Sequence, residues 1–216
     1  MKKKNRILQL VALLFFILLS IYSFANKPYS PFTTNHSASN YFSVYIMDPG
    51  QSTAEDFSAL LLFYNPNLDT SMVESLAKTY IDESQKEGVN QDIAFIQMCL
   101  ETGFLTYTGS IKAQQNNFAG LGAINKNEKG EQFPDVQTGV RAHIQHLKAY
   151  ASTLDLSHEL VDVRFHFIKR GIAPTIYDLP GKWAADKEYA LKLEDLLSRL
   201  FLFRTQSNLR VALGIY

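Results

Sequence analysis

Apolar positions recur at helical spacing in five stretches of the chain, each bounded by capping or breaking residues. Ser52-Thr53-Ala54-Glu55 has the form of a capping box, and Phe57, Leu60, Leu61 and Tyr64 follow on one face until Asn65-Pro66 stops the helix. Thr70 or Ser71 caps a second helix with a stripe of Val73, Leu76, Tyr80 and Ile81, which Gly88 ends. Asn90 caps a third, mostly apolar through Ile93, Ile96, Met98 and Leu100, with Gly103 as its left-handed terminator. Thr138 is the expected cap of a fourth, carrying Val140, Ile144, Leu147 and Ala151. Asp186 is the expected cap of a fifth, striped by Tyr189, Leu193, Leu196, Leu197 and Leu200. From Thr205 the period fades, and residues 205–216 read as a loosely packed tail.

The third helix ends in a chemically informative place. Glu101 lies in its last turn, where the helix dipole is negative and the surroundings are apolar. Both effects favour the protonated carboxyl. A glycosidase's general acid must hold its proton near neutrality, so Glu101 is the candidate catalytic residue. A solvated glutamate at a helix end is the competing reading. Four consecutive amides follow, Gln114, Gln115, Asn116 and Asn117, each both donor and acceptor and suited to sugar hydroxyls and N-acetyl groups. Phe118, Gly120 and Gly122 add an aromatic surface and places where backbone can approach a ligand closely. A polar surface loop that only caps its neighbours would carry the same residues.

Taken together, ETGF, NNFAGLGA and FPDVQTGVRAHIQHLKAYA resemble the glucosaminidase family of bacterial peptidoglycan hydrolases, which includes autolysins and flagellar-rod enzymes. The resemblance runs from about Met72 to Leu200 and includes the Trp-Ala-Ala-Asp segment at Trp183. It implies a mainly α (α+β, lysozyme-like) fold: a helical core, a small hairpin-bearing lobe and a substrate cleft between them. It further implies cleavage of the β-1,4 bond after N-acetylglucosamine in peptidoglycan glycan strands. Glu101 falls on the family's general acid and Asn117-Phe118 on its Asn-x-Phe-Gly floor. Trp183 stands where many relatives have a cleft tyrosine, and can stack on a sugar ring in its place. Gln97, Gln114, Asn116, Asn117, Phe118, Tyr177 and Trp183 are the expected substrate-binding residues.

The sequence departs from the family at a second carboxylate, which relatives often carry in the hairpin lobe. Glu128, Glu131 and Asp135 are available here, but none sits in the family's pattern, and charged residues in such turns are ordinarily solvated. Glu131, beside the Phe-Pro-Asp segment, is the preferred supporting residue. Without a second carboxylate the substrate's own 2-acetamido group can serve as nucleophile. A lytic transglycosylase, or a glycan-binding adhesin without catalysis, would use many of the same residues.

The first 25 residues place the protein in the cell. Lys2, Lys3, Lys4 and Arg6 precede an apolar run over 7–24, and Ser23-Phe24-Ala25 has the small–x–small form of a cleavage site. A cleaved signal peptide is expected, with an uncleaved anchor and membrane tether through 7–24 as the alternative. Either way the protein is exported, to periplasm, envelope or beyond. Residues 26–50, rich in Ser, Pro, Asn, Tyr and Thr, read as a flexible spacer, and 51–204 as the catalytic domain. Removing residues 1–25 removes four of 21 basic residues and none of the 21 acidic ones, for a net charge of −4. That balance argues against a nucleic-acid partner. Cys99, the one cysteine, reads as a buried inert thiol. His143 and His146 lie three apart on the fourth helix, but no third ligand accompanies them, so they read as structural and no metal or cofactor is expected.

Overall fold

A computed structural model describes residues 41–123 and 129–214. Within them the chain forms α1 (Ala54–Tyr64), α2 (Thr70–Glu87), α3 (Gln91–Thr102), α4 (Val136–Ala151) and α5 (Tyr189–Ala212). Short 3-10 turns lie at Ala113–Gln115, Phe165–Phe167 and Ile176–Asp178. The five sequence-derived helices are all present, and the fold is mainly α as expected. Among the described residues there is no strand, only isolated bridges between Tyr45 and Thr175 and between Pro180 and Ala184. Of the expected hairpin lobe, residues 124–128 lie outside the described residues, and on either side of them Glu131 N–H bonds Leu121 O at 2.7 Å.

The helix caps show how local chemistry sets the boundaries. Asn90 accepts from the N–H groups of Asp92 and Ile93, and Gly103 closes α3 at φ 59°, both as the sequence indicates. Three other caps sit one to three residues from their expected places. The box on α1 pairs Thr53 with Asp56 rather than Ser52 with Glu55. Asp69, not Thr70 or Ser71, caps α2, and Asp135, not Thr138, caps α4. At α2 and α4 a carboxylate outcompetes a neighbouring hydroxyl, because a charged acceptor makes the stronger bond at the positive end of the dipole, whereas at α1 the cap is still a hydroxyl, that of Thr53. At α5, Asp186 accepts from Glu188 N–H one turn before the helix, and Glu188 stands in the N-cap position.

The core forms where α3 is enclosed by α2, α4 and α5, with α1 packed on α2 and α5. Phe57 stacks on Phe95 at 4.1 Å between ring centres, and Tyr80 meets Phe95 edge-on at 5.5 Å. Ile93, Ile96, Met98 and Cys99 are fully buried, which explains why α3 is apolar on nearly every side. Burial pushes the Cys99 thiol far above its ordinary range and leaves it inert.

Two expected boundaries are corrected. Residues 41–50 are docked rather than a spacer: Ile46 is fully buried, its N–H bonds Pro174 O, its carbonyl receives Asn90 N–H, and Val44 O receives Ile176 N–H. Phe42, Val44 and Ile46 alternate with polar or aromatic partners, a period-two signal that outweighs the polar composition around it. The remainder of the expected spacer, like the apolar run 7–24, lies outside the described residues. At the other end, α5 runs through the expected tail to Ala212, because neither Gly nor Pro interrupts 189–213. Gly214, at φ 65°, follows it.

Candidate active site

Glu101 sits at the C-terminal end of α3 on the wall of a cleft of about 560 Å³. Its Oε1 accepts two hydrogen bonds, from the Trp183 indole N–H at 2.9 Å and the Tyr189 hydroxyl at 2.5 Å. Its Oε2 faces the Gly120 backbone, where an added Cβ would stand 3.6 Å away. Burial raises the Glu101 pKa above the ordinary carboxylate range, against the lowering effect of the two donors. Because Trp183 N–H can only donate, Oε1 must act as acceptor there. The free position for a proton on this carboxyl is therefore Oε2, on the Gly120 side.

The backbone after α3 is wound left-handed over several residues, with positive φ at Gly103, Phe104, Leu105 and Tyr107. Such conformations cost about 1–3 kcal/mol each outside glycine and persist only when surrounding structure enforces them. Here Phe104 stacks on Tyr64 at 4.1 Å, Asn65 bonds Phe104 O, and Thr102 Oγ1 receives Leu105 N–H. The result turns the chain sharply away from Glu101 and puts Tyr107 on the cleft wall.

Trp183 lines the cleft as expected and is half-buried, with its ring against Tyr150 and His146. The other expected substrate contacts are placed elsewhere. Gln97 is fully buried, its amide spent on Tyr189 and His143. Asn117 is also fully buried: Oδ1 accepts from Ala119 and Leu121 N–H, and Nδ2 donates to Leu121 and Glu131 carbonyls. It holds the Gly-rich turn in shape from behind, so that Ala119, Gly120 and Leu121 form the cleft floor with backbone. Asn116, at φ 49°, donates to Phe133 O, and Gln115 donates to Glu131 O at 3.2 Å. Gln114 is exposed outside the cleft, and Phe118 packs into the core against Tyr80. Tyr177 lies in a turn packed on α5, its hydroxyl beside Glu194 and pushed up to about 12 by burial. The amide run thus serves the loop's own backbone, which irregular structure must satisfy locally.

Of the three candidate second carboxylates, Asp135 is used as the α4 cap, accepting Thr138 N–H at 2.7 Å. Glu131 stands at the rim with Arg164 3.6 Å away, and Glu128 lies outside the described residues. His146 and Arg164 line the cleft. His146 Nδ1 bonds the buried Asp162 at 2.7 Å, and Asp162 also accepts Arg164 N–H. Among the described residues, no group of three His, Cys, Asp or Glu is arranged to hold a metal ion.

Tyr189, which sequence reasoning placed only in a core stripe, is a direct partner of Glu101. The signal was its hydroxyl: at a fully apolar stripe position, a tyrosine's O–H must find a partner, and here that partner is Glu101.

Asn117→Ala is expected to destabilise the protein by at least about 2 kcal/mol, because it orphans buried backbone groups that the amide now satisfies. Urea unfolding measures this. A variant of wild-type stability that has lost affinity for chitooligosaccharides would return Asn117 to the binding surface.

A helical frame presenting one protonatable glutamate over a backbone floor, with an indole beside it, has the make-up of a glycoside hydrolase site. Residues 77–202 match the family model Glucosaminidase, described as mannosyl-glycoprotein endo-beta-N-acetylglucosaminidase, and the chain belongs to that family. An uncharacterised protein of Borreliella burgdorferi is 48% identical over 164 residues, which cover 76% of this chain and 80% of that protein. No solved structure matches.

Proposed function

We propose that the protein is an exported endo-β-N-acetylglucosaminidase that cleaves the β-1,4 bond after N-acetylglucosamine in peptidoglycan, with Glu101 as general acid. The observation that carries this reading is the two-sided setting of Glu101: Oε1 held by Trp183 and Tyr189, Oε2 open to the cleft. A sugar seated against Trp183 brings its glycosidic oxygen to Oε2, which transfers its proton as the C1–O bond breaks. The leaving sugar departs with that proton, and the carboxylate left on Glu101 is stabilised by the two donors already on Oε1. Water then adds its oxygen to C1, and Glu101 recovers a proton from it.

The electrophilic C1 needs a partner on the opposite face. Among the described residues lining the cleft, Glu101 is the only acidic one. We assign that role to the substrate's 2-acetamido oxygen, whose attack forms an oxazolinium ion that water opens. We assign the supporting role to Glu131, whose pairing with cleft-lining Arg164 favours that reading. The apolar run 7–24, behind its basic start, is the proposed export signal and the alternative tether to a membrane.

Digestion of purified peptidoglycan followed by mass spectrometry of the new chain ends tests the proposal. Reducing N-acetylglucosamine ends are expected. Anhydro sugar ends would instead make the protein a lytic transglycosylase, and intact strands still bound to the protein would make it a glycan-binding module.

A further inference from the structure

Behind Glu101 lies a line of buried polar side chains that the proton transfer itself does not touch. Tyr189 is buried at the start of α5 and gives its hydroxyl hydrogen to Glu101 Oε1. Its oxygen must then accept, and Gln97 Nε2 donates to it at 2.9 Å. That orientation turns Gln97 Oε1 toward His143 Nε2, 2.9 Å away, so Nε2 carries the imidazole hydrogen. Nδ1 is left bare and accepts from the Tyr80 hydroxyl at 3.0 Å. Tyr80, Gln97 and His143 are fully buried, on α2, α3 and α4 respectively. Burial lowers the His143 pKa to about 3, so the ring is neutral throughout the working range and the polarity of the chain is fixed.

We propose that Tyr80, His143, Gln97 and Tyr189 form a positioning relay in which every hydrogen bond points toward Glu101 Oε1, setting the proton affinity of the acid from three helices away. The inference rests on Glu101 being the group that ionises in the cleft. Each donor in such a chain is made stronger by the one behind it, by roughly 10–30% per bond. The relay thus offsets part of the desolvation that would otherwise keep Glu101 from releasing its proton. It also keeps Oε1 occupied, so the exchangeable proton stays on Oε2. A core built only for packing would place Phe and Leu at these positions, with no buried polar atoms to satisfy.

The protein carries its own reporter. Trp183 is the one tryptophan in the chain, and its indole N–H bonds Glu101 directly. Ionisation of Glu101 therefore changes Trp183 emission without any substrate. The other titratable groups facing this pair are Tyr189 from α5, Tyr107 beyond α3, His143, His146 and Tyr150 from α4, and Arg164 across the cleft with Glu131 behind it. Glu101→Gln separates them: the part of the pH-dependent emission that this change removes belongs to Glu101.

The Glu101 midpoint is expected to rise by about one pH unit in Tyr189→Phe, which deletes the direct donor to the charged form. It is expected to rise by a smaller amount, on the order of 0.3–0.5 unit, in Gln97→Met and in Tyr80→Phe, which leave Tyr189 in place and weaken only what stands behind it. Two remote variants on different helices guard against one failing to fold, and circular dichroism checks each. The relay is overturned if both folded remote variants keep the wild-type midpoint while Tyr189→Phe shifts it. It is equally overturned if Glu101→Gln leaves the whole emission transition in place. Wall hydrolysis by Glu101→Gln, measured separately, tests the acid assignment, so either idea can fail without the other.

Discussion

Glu101→Gln is expected to lower peptidoglycan hydrolysis by about 10²–10⁴-fold, the usual worth of a general acid, with the fold intact. The substitution suits its surroundings closely. The Gln oxygen can accept from Trp183 and Tyr189 as Oε1 now does, and the amide nitrogen replaces Oε2 beside Gly120. Packing and the clamp survive, and only the transferable proton is lost. The pH dependence has a definite sign. As the proposed general acid Glu101 acts while protonated, and burial raises its pKa, so activity is expected to extend to higher pH than an ordinary carboxylic acid would allow and to be lost as pH rises through the raised value. Retention of more than about a third of wild-type turnover would remove Glu101 from the mechanism, since no general-acid contribution is that small. Release of reducing ends from purified peptidoglycan, alongside thermal unfolding of both proteins, makes the comparison.

Gly139→Ala is expected to cause the largest loss of stability of any single methyl added to this protein. Gly139 lies in the first turns of α4, where alanine ordinarily favours a helix over glycine by about 1 kcal/mol. Tertiary packing reverses the sign. A Cβ at Gly139 would stand 1.8 Å from the Asn116 carbonyl oxygen and 2.9 Å from its carbon. Both are backbone atoms of a residue held left-handed and bonded to Phe133 O, so neither can give way cheaply. Overpacking of this kind costs about 1–3 kcal/mol or more. Relief by movement would drag the neighbouring Asn117 and the cleft floor it braces, so activity should fall with stability. Differential scanning calorimetry should show a melting point several degrees lower. An unchanged or higher melting point would mean that the approach of α4 to the amide loop is looser than described.

The helices were legible in the sequence because their information is local. Apolar spacing, Asn90 and Gly103 at the ends of α3, and Gly88 at the end of α2 act within a turn or two of themselves. Glu101 was legible for the same reason: its place in the last turn of an apolar helix follows from neighbours along the chain. Where two local signals competed, as hydroxyl against carboxylate at the caps of α2 and α4, the stronger acceptor prevailed and the boundary moved by one to three residues. At 41–50, composition masked a short alternating pattern whose partners, Pro174 and Ile176, lie some 130 residues away.

The roles of the amides were decided only by tertiary structure. A run of four amides advertises hydrogen bonding but not its direction. Here Asn117, Asn116 and Gln115 turn inward, because the irregular backbone of their own loop has polar groups that helices and strands would have satisfied internally. Tyr189 reads in sequence as one more large residue on a core stripe. Gln97 was expected at the substrate and His143 as a satisfied structural histidine, yet folding joins them with Tyr80 behind Glu101. Their bonds span sequence separations from 46 to 92 residues, and no local pattern records such contacts. The sequence by itself determined the helical frame, the family likeness and the place of Glu101 at the end of its apolar helix, since these rest on short-range spacing and motif. What surrounds that acid, and therefore how readily it parts with its proton, exists only once α2, α3, α4 and α5 have packed.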